Sequence, residues 1–227
     1  MSGVPVSPAL PGRPRFADRR AAGQELAMLL EPFRAERPIV LALPRGGVPV
    51  AFAAAVALDA PLDVVVVRKL GVPRQPELAT GAIGEAGVRV VNREVVDALA
   101  ITATELDAVE QRERREVERR ADRYRGSTPA VPLPGRTAIV IDDGIATGST
   151  MRAAIAITRE HGARRVVVAV PVAPEDTVVR MRQVADAVVC VAMPAPFAAI
   201  GEWYENFDQT SDAEVVELLN RSRRAPG

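Results

Sequence analysis

The sequence predicts an α/β fold in which about five parallel strands form a central sheet with helices on its faces. Short runs of Val, Ile, Leu and Ala alternate with longer amphipathic segments, which is the order typical of strand–helix–strand units. The chain has 227 residues, and 48% of them are hydrophobic, which is enough for one large core. Only 4% are aromatic, so we expect Ala, Val, Leu and Ile to fill that core.

The first part of the chain is expected to supply two strands. Residues 1–15 are rich in proline and lack an apolar segment, so we expect a disordered lead-in before a single domain at 16–227. The predicted elements that follow are a helix at 16–33, a strand at 39–43, a small-residue helix at 48–58 and a strand at 62–67.

The middle of the chain has a less regular pattern. Residues 71–87 contain prolines, several glycines and no periodicity, so we interpret them as a flexible lid loop, followed by a short extended piece at 88–91. Residues 102–124 predict a helix rich in Glu and Arg, with Thr102 and Glu105 at capping-box spacing. Acidic residues are interleaved among the arginines, which favours a solvated or partner-contacting helix over a nucleic-acid surface.

The last part of the chain returns to alternating strands and helices. We expect strands at 137–141, 164–170 and 187–192, and helices at 149–160, 174–184 and 212–220. Between the last strand and the last helix, residues 193–210 hold four of the eight aromatic residues of the chain. We call this segment the hood.

Residues 137–150 are the most informative segment, because an apolar strand leads into Asp142, Asp143 and a turn of small residues. Ligands of open α/β sheets bind at the carboxyl ends of the strands, where two carboxylates can accept hydrogen bonds from vicinal sugar hydroxyls. Gly144, Ala146 and Gly148 keep backbone amides accessible to an anion, and the next helix adds its positive N-terminal end. The segment therefore predicts a site for a phosphorylated, polyhydroxylated ligand.

Two further segments place basic residues after predicted strands. The strand at 39–43 leads into a glycine turn that contains Arg45, and the strand at 62–67 leads directly into Arg68 and Lys69. Each segment alone could be an ordinary turn or a surface cation. Together with residues 137–150, they favour an anion site.

Residues 139–150 resemble the phosphoribosyl pyrophosphate (PRPP) signature of the type I phosphoribosyltransferases, a hydrophobic strand followed by two acidic residues and a Thr-Gly-x-Thr loop. The resemblance implies a Rossmann-like core in which Asp142 and Asp143 bind the ribose hydroxyls. It also implies a phosphate loop and a pyrophosphate site, which comprise Gly144, Ile145, Ala146, Thr147, Gly148, Ser149 and Thr150 for the 5′-phosphate, and Arg45, Gly46, Gly47 and Lys69 for the pyrophosphate.

The reaction implied by the resemblance transfers the 5-phosphoribosyl group from PRPP to a nitrogenous, base-like acceptor and releases pyrophosphate. Mg²⁺ is the implied cofactor, and Asp142 and Asp143 would reach it indirectly, through ribose hydroxyls or water. Arg45 and Lys69 would stabilise the departing charge. Glu85, in the lid loop, would be an acid that contacts the acceptor, and it completes the expected catalytic set.

The identity of the acceptor stays open. Family members that act on 6-oxopurines usually carry an acidic residue where this chain has Ala146, which argues against hypoxanthine and guanine. The hood aromatics Phe197, Trp203 and Tyr204 are expected to form the acceptor pocket, to close against a second subunit in a homodimer, or simply to pack against the helix at 212–220. The chain most resembles bacterial phosphoribosyltransferase-domain proteins of unassigned acceptor.

The composition of the chain excludes several other kinds of site and partner. The formal net charge is zero, so nucleic acid is not an expected partner, and no apolar run is long enough to span a bilayer. A single Cys190 and a single His161 exclude an intrachain disulfide and a soft-metal cluster, and they suit a cytoplasmic location. The alternatives are a PRPP-sensing regulator without turnover and, ranked last, a diphosphotransferase of the PRPP-synthesising type.

Overall fold

The computed structural model describes residues 16–72 and 75–224, and the side chains of all of these except 75–78. The lead-in expected at 1–15 lies outside the described residues. The helices are α1 (Arg19–Leu30), α2 (Gly47–Leu58), α3 (Arg93–Ala98), α4 (Ala103–Arg125), α5 (Ser149–Glu160), α6 (Glu175–Met181) and α7 (Asp212–Arg224). The strands are β1 (Ile39–Ala42), β2 (Leu62–Val64), β3 (Val67–Val72), β4 (Gln75–Gly84), β5 (Arg89–Val91), β6 (Thr137–Ile141), β7 (Arg165–Val172) and β8 (Ala187–Ala192).

Five strands form a parallel sheet in the order β2-β1-β6-β7-β8, which confirms the predicted α/β class. When the strands of this sheet are counted in chain order, the arrangement is 2-1-3-4-5, so the direction of winding reverses between β1 and β6. Open α/β sheets bind their ligands at such a reversal, outside the carboxyl ends of the two strands. The topology therefore places the expected site beyond Ala42 and Ile141.

The sheet is covered on both faces, and for this reason its strands are continuous apolar runs in the sequence. Along β6, Ile139 and Ile141 pack into the cluster that includes side chains of α1, α2 and α7. Ala138 and Val140 pack into the opposite cluster, with side chains of α5 and α6. Successive side chains of a strand point to opposite faces, so each helix layer is packed by alternate residues of the same run.

A second sheet, antiparallel and in the order β3-β4-β5, corrects two predictions. The strand expected at 62–67 ends at Val64, and Arg68 and Lys69 lie on β3 of the second sheet. Residues 71–87, expected to be a lid loop without regular structure, include the end of β3, all of β4 and the 3₁₀ helix Glu85–Gly87. Glycine and charged residues interrupt the apolar alternation of these strands, so their sequence pattern is similar to that of a loop.

Helix α4 rests against this second sheet instead of standing alone in solvent. The predicted capping box between Thr102 and Glu105 is formed, and Val109 and Val117 are buried. Arg68 Nε on β3 donates to Glu113 Oε2 on α4 over 2.8 Å. None of the described helices is both long enough and apolar enough to cross a bilayer.

The hood packs against the beginning of the described chain. The Phe16 amide donates to the Trp203 carbonyl oxygen over 3.0 Å, and the Glu205 amide donates to the Phe16 carbonyl oxygen over 2.9 Å. The helix predicted to begin at Phe16 therefore begins at Arg19, after Asp18 accepts a capping hydrogen bond from the Ala21 amide. This contact brings the start of α1 next to the carboxyl end of β6.

Candidate active site

The loops that follow β1 and β6 meet at the reversal of the sheet. Ala42 pairs with Ile141, so the turn that contains Gly46 and Gly47 lies directly beside the acidic end of β6. A Cβ atom on Gly46 would lie only 2.0 Å from Asp143 Oδ2, and one on Gly47 would lie 2.7 Å from the Ile141 carbonyl oxygen. Only glycine permits this approach of the two loops. The peptide bond between Pro44 and Arg45 is cis.

Residues 144–150 form the loop after β6, which we call the phosphate loop. It borders a cavity of about 190 Å³, which is also lined by Asp142, Met151 and Ile200. Thr147, Ser149 and Thr150 are among the loop residues that line this cavity. Gly148 has a φ of +80° directly before α5, a backbone conformation that favours glycine. The first amides of α5 have no acceptor within the helix, so they are available to an anion.

The two acidic residues after β6 are close together and largely removed from water. Burial raises the pKa of Asp142 well above its ordinary value of 3.8, and the neighbouring Asp143 raises it further. Burial also raises the pKa of Asp143, although the Arg19 guanidinium acts in the opposite direction. Arg19 Nε donates to Asp143 Oδ2 over 2.8 Å. Asp142 Oδ1 accepts a hydrogen bond from the Asp143 amide over 2.9 Å.

The predicted cations reach different parts of the site. Lys69 extends from β3 to the phosphate loop, where its Nζ lies 3.5 Å from Ser149 Oγ. Arg45 lies on the glycine turn, and its guanidinium is 3.9 Å from Asp212 Oδ1 at the start of α7. Asp212 also accepts a hydrogen bond from the Tyr124 hydroxyl over 2.9 Å. The structure therefore brings Lys69 to the phosphate loop and pairs Arg45 with an acidic residue.

The remaining predicted site residues do not line the cavity of the phosphate loop. Glu85 is paired with the Arg125 guanidinium and lines a separate cavity of about 410 Å³ on the side of His161. Phe197 and Trp203 are partly buried against the core. Tyr204 is buried, and its hydroxyl donates to the Asp143 carbonyl oxygen over 2.5 Å.

Sequence reasoning missed two residues of the site. Arg19, at the start of α1, binds Asp143, and Ile200, in the hood, lines the cavity and would be 2.7 Å from a Cβ atom on Gly144. Neither residue belongs to a motif, and both reach the site through contacts between distant parts of the chain. An arginine at a helix start, where the dipole disfavours a cation, is the only signal that could have drawn attention to Arg19.

The donors around the cavity suit Mg²⁺ held jointly by protein and substrate. Among the described residues, no three His, Cys, Asp or Glu side chains are grouped in a way that could hold a metal ion. Asp142 and the exposed hydroxyls are hard oxygen donors, and Mg²⁺ commonly binds one or two carboxylates together with substrate phosphates and water. The residues present fit this mode and not an all-protein metal cage.

The comparisons with known proteins identify the family of the chain. The family model described as a phosphoribosyl transferase domain matches residues 19–206. Two proteins of Mycobacterium tuberculosis, from strains CDC 1551 / Oshkosh and ATCC 25618 / H37Rv, are 55% identical over 209 residues, which are 92% of this chain and 47% of their length. Both carry the provisional name phosphoribosyl transferase. The chain thus spans about half the length of these curated relatives.

A solved structure supports the fold along nearly the whole chain. The crystal structure of TT1426 from Thermus thermophilus is 43% identical and covers 91% of this chain and 98% of its own, with a TM-score of 0.85. The family model covers both loops of the site, from the start of α1 to the hood. The chain therefore belongs to the phosphoribosyl transferase domain family.

Proposed function

We propose that this chain is an enzyme that transfers the 5-phosphoribosyl group of PRPP to a nitrogenous, base-like acceptor, with Mg²⁺-assisted release of pyrophosphate. The observation that carries the proposal is the meeting of the two loops at the reversal of the sheet. An amide-lined turn that contains Arg45 lies directly beside two carboxylates and the phosphate loop. A molecule with a diphosphate, two ribose hydroxyls and a 5′-phosphate matches these three neighbours in order.

In this proposal each group of PRPP has its own partner. The 5′-phosphate would accept hydrogen bonds from the phosphate loop and from the first amides of α5, with Lys69 nearby at Ser149. The ribose hydroxyls would donate to Asp142, and the pyrophosphate would lie over Gly46 and Gly47. Arg45 would exchange its contact with Asp212 for the pyrophosphate.

The chemistry asked of the protein is mainly positioning and charge stabilisation. The bond between C1 of the ribose and pyrophosphate breaks as the acceptor nitrogen attacks, so negative charge accumulates on the leaving group. Backbone amides of the glycine turn, joined by Arg45 once it leaves Asp212, would stabilise this charge. Bound Mg²⁺ would supply further positive charge to the leaving group, and Asp142, which lines the cavity, would help to hold it.

The acceptor side of the site is proposed to be the hood. Ile200 is its contribution to the cavity wall, beside Gly144. Phe197 and Trp203 would stack on a base only after the hood moves, since both are partly buried against the core. Substitution of Trp203 by Ala is therefore expected to change acceptor affinity, and unchanged affinity would remove Trp203 from the acceptor pocket. Glu85 has no part in the proposal while it is paired with Arg125.

Calorimetry of PRPP binding, with and without Mg²⁺, tests the proposal. We expect Mg²⁺-dependent binding that weakens roughly 10- to 100-fold in Asp142→Asn, because a charge-assisted acceptor is lost. Glu160→Gln, an exposed change at the other end of α5, is the matched control and should bind normally. Pyrophosphate release is then measured with each base of a panel. Binding without release from any base would favour a PRPP sensor, and absence of binding would refute both functions.

A further inference from the structure

The two carboxylates of the site have different surroundings. Asp142 lines the cavity of the phosphate loop, whereas Asp143 does not. Asp143 is only 8% exposed, and its Oδ2 accepts from Arg19 Nε over 2.8 Å. The carboxylate of Asp143 also lies directly under Gly46, where a Cβ atom would be 2.0 Å from Oδ2. Asp143 therefore points beneath the glycine turn with Gly46 and Gly47, which we call the pyrophosphate turn after its proposed ligand, instead of toward the cavity.

Arg19 is itself held in place by the hood. Its Nη1 donates to the Asp208 carbonyl oxygen over 2.7 Å, and its guanidinium lies 3.9 Å from the centre of the Phe207 ring. A guanidinium can make a hydrogen bond and stack on an aromatic face at the same time, which an ammonium does less well. The side chain of Arg19 is 11% exposed, so the ion pair with Asp143 is largely shielded from water.

The backbone of Asp143 is also fixed. The Tyr204 hydroxyl donates to its carbonyl oxygen, and its amide donates to Asp142 Oδ1. Asp143 thus has partners for its carboxylate, its carbonyl group and its amide. The Asp142 carboxylate accepts from the Asp143 amide, lies within hydrogen-bond reach of the Asp143 carboxylate and lines the cavity.

We propose that Arg19 is a positioning residue that holds Asp143 under Gly46 as a charged support for the pyrophosphate turn, so that Asp142 alone offers its carboxylate to the ribose hydroxyls and the metal. This inference rests on the proposed PRPP site. It assigns unequal tasks to two adjacent acidic residues: Asp142 contacts the ligand, and Asp143 keeps the two loops in register.

A double-mutant cycle on PRPP affinity tests the inference. Arg19→Gln leaves the Asp143 carboxylate buried without its cation, so we expect affinity to fall roughly 10-fold, as for other residues that orient a binding group. Adding Asp143→Asn removes that unpaired charge, so the double variant should bind no more weakly than Asp143→Asn alone. Arg19→Gln combined with Asp142→Asn should instead bind more weakly than either single variant, because Asp142 contacts the ligand itself. Arg20→Gln, an exposed neighbour on α1, is the matched control.

Arg19→Lys separates charge from geometry. It keeps the positive charge but loses the planar guanidinium, so its affinity should lie between those of the wild type and Arg19→Gln. Thermal unfolding of every variant shows whether a loss of binding is a loss of fold. If Arg19→Gln does not fold, Arg19→Lys takes its place in the cycle.

Two results would overturn the inference while leaving the proposed function intact. One is an equal loss of affinity in Asp142→Asn and Asp143→Asn, and the other is multiplication of the losses from Arg19→Gln and Asp143→Asn. Absence of PRPP binding by the wild type is a different result, because it refutes the proposed function itself. In that case the same cycle is measured as the free energy of unfolding, and independent effects at 19 and 143 would refute the support role of Asp143.

Discussion

The pKa values of acidic side chains are shifted in opposite directions at the end of β6 and along α4. At the end of β6, burial raises the pKa of Asp142, and the charge of Asp143 raises it further. On α4, burial also raises the pKa of Glu110 and Glu113, but hydrogen bonds from two arginines to each carboxylate bring it below the usual 4.5. Among the described residues, Arg19 is the arginine that lowers the pKa at the end of β6.

The contrast separates carboxylates that are paired with arginines inside the protein from Asp142, for which the described residues provide no ion pair. Two arginines at each glutamate of α4 lower its pKa by more than burial raises it. Glu110 and Glu113 are therefore charged and fixed against the second sheet. At the end of β6 burial outweighs the effect of the single arginine, so both aspartates keep a raised pKa. Four substitutions test this difference, from the largest expected effect to the smallest.

Arg125→Leu should have the largest effect, because it breaks a buried ion pair of α4. Arg125 Nε donates to Asp63 Oδ1 over 2.7 Å, and both side chains are at most 8% exposed. We expect the free energy of unfolding to fall by about 3–5 kcal/mol, since Asp63 would keep a buried charge without its partner. Urea denaturation followed by Trp fluorescence measures the change. Arg119→Leu, an exposed change on the same helix, should have little effect, and an equal loss in both would contradict the distinction.

Gly46→Ala tests the close approach of the two loops at the site. The added methyl group would lie 2.0 Å from Asp143 Oδ2, so the turn or the carboxylate must shift. Overpacking of this kind costs about 1–3 kcal/mol of stability, and we also expect loss of PRPP binding. In an Asp143→Ala background the obstacle is gone, so the same substitution should cost much less. An unchanged cost there would show that another contact limits the turn.

Asp142→Asn should stabilise the fold while it weakens PRPP binding. The folded-state pKa of Asp142 lies above its ordinary value of 3.8, so the wild type loses stability as the pH rises through that folded-state pKa. Asn carries no such charge, and we expect a gain of about 1 kcal/mol at pH 7 that disappears below pH 3.8. Denaturation at both pH values measures it. A loss of stability at pH 7 would indicate that the fold itself needs the charge.

Glu116→Gln should have the smallest effect and the opposite pH dependence. Hydrogen bonds from Arg119 and Arg120 lower the pKa of Glu116 to about 2, so its contribution is present above its ordinary 4.5 and is lost as the pH falls toward 2. The pair is exposed enough for solvent to screen it, so we expect a loss of no more than about 0.5 kcal/mol at pH 7. Denaturation at pH 7 and pH 3 measures the loss at each pH. A loss that is larger at pH 3 than at pH 7 would contradict the expected pH dependence.

The sequence is most informative where structure depends on local patterns. Helix α5 is predicted at 149–160 and has those bounds, because an amphipathic segment lies between two glycines, Gly148 and Gly162. The strands β1 and β6 are visible as buried apolar runs, and the acidic pair and the glycine turn follow them directly. A parallel sheet then brings the two strand ends together, so proximity of the two loops can be predicted from topology alone.

The sequence is least informative where structure depends on long-range pairing. Arg68 and Lys69 look like the end of a strand, but they belong to β3, whose partner β4 has no continuous apolar run. Likewise, the charged residues of α4 are spaced like those of a solvated helix. Only the folded chain brings Arg89 of β5 to Glu110 of α4. The contact of Arg19 with Asp143 joins residues 124 positions apart, and no local pattern encodes it.

The pairing of β1 with β6 also limits how the site can move. Four successive residue pairs join the two strands, from Ile39 with Ala138 to Ala42 with Ile141, in the middle of the sheet. Sliding one loop past the other would break these pairs. We therefore expect the distance between the glycine turn and the phosphate loop to stay constant. Amides of β1 and β6 should accordingly exchange with solvent last. Any closure around a substrate must come from the opposite walls, which are the Lys69 strand and the hood.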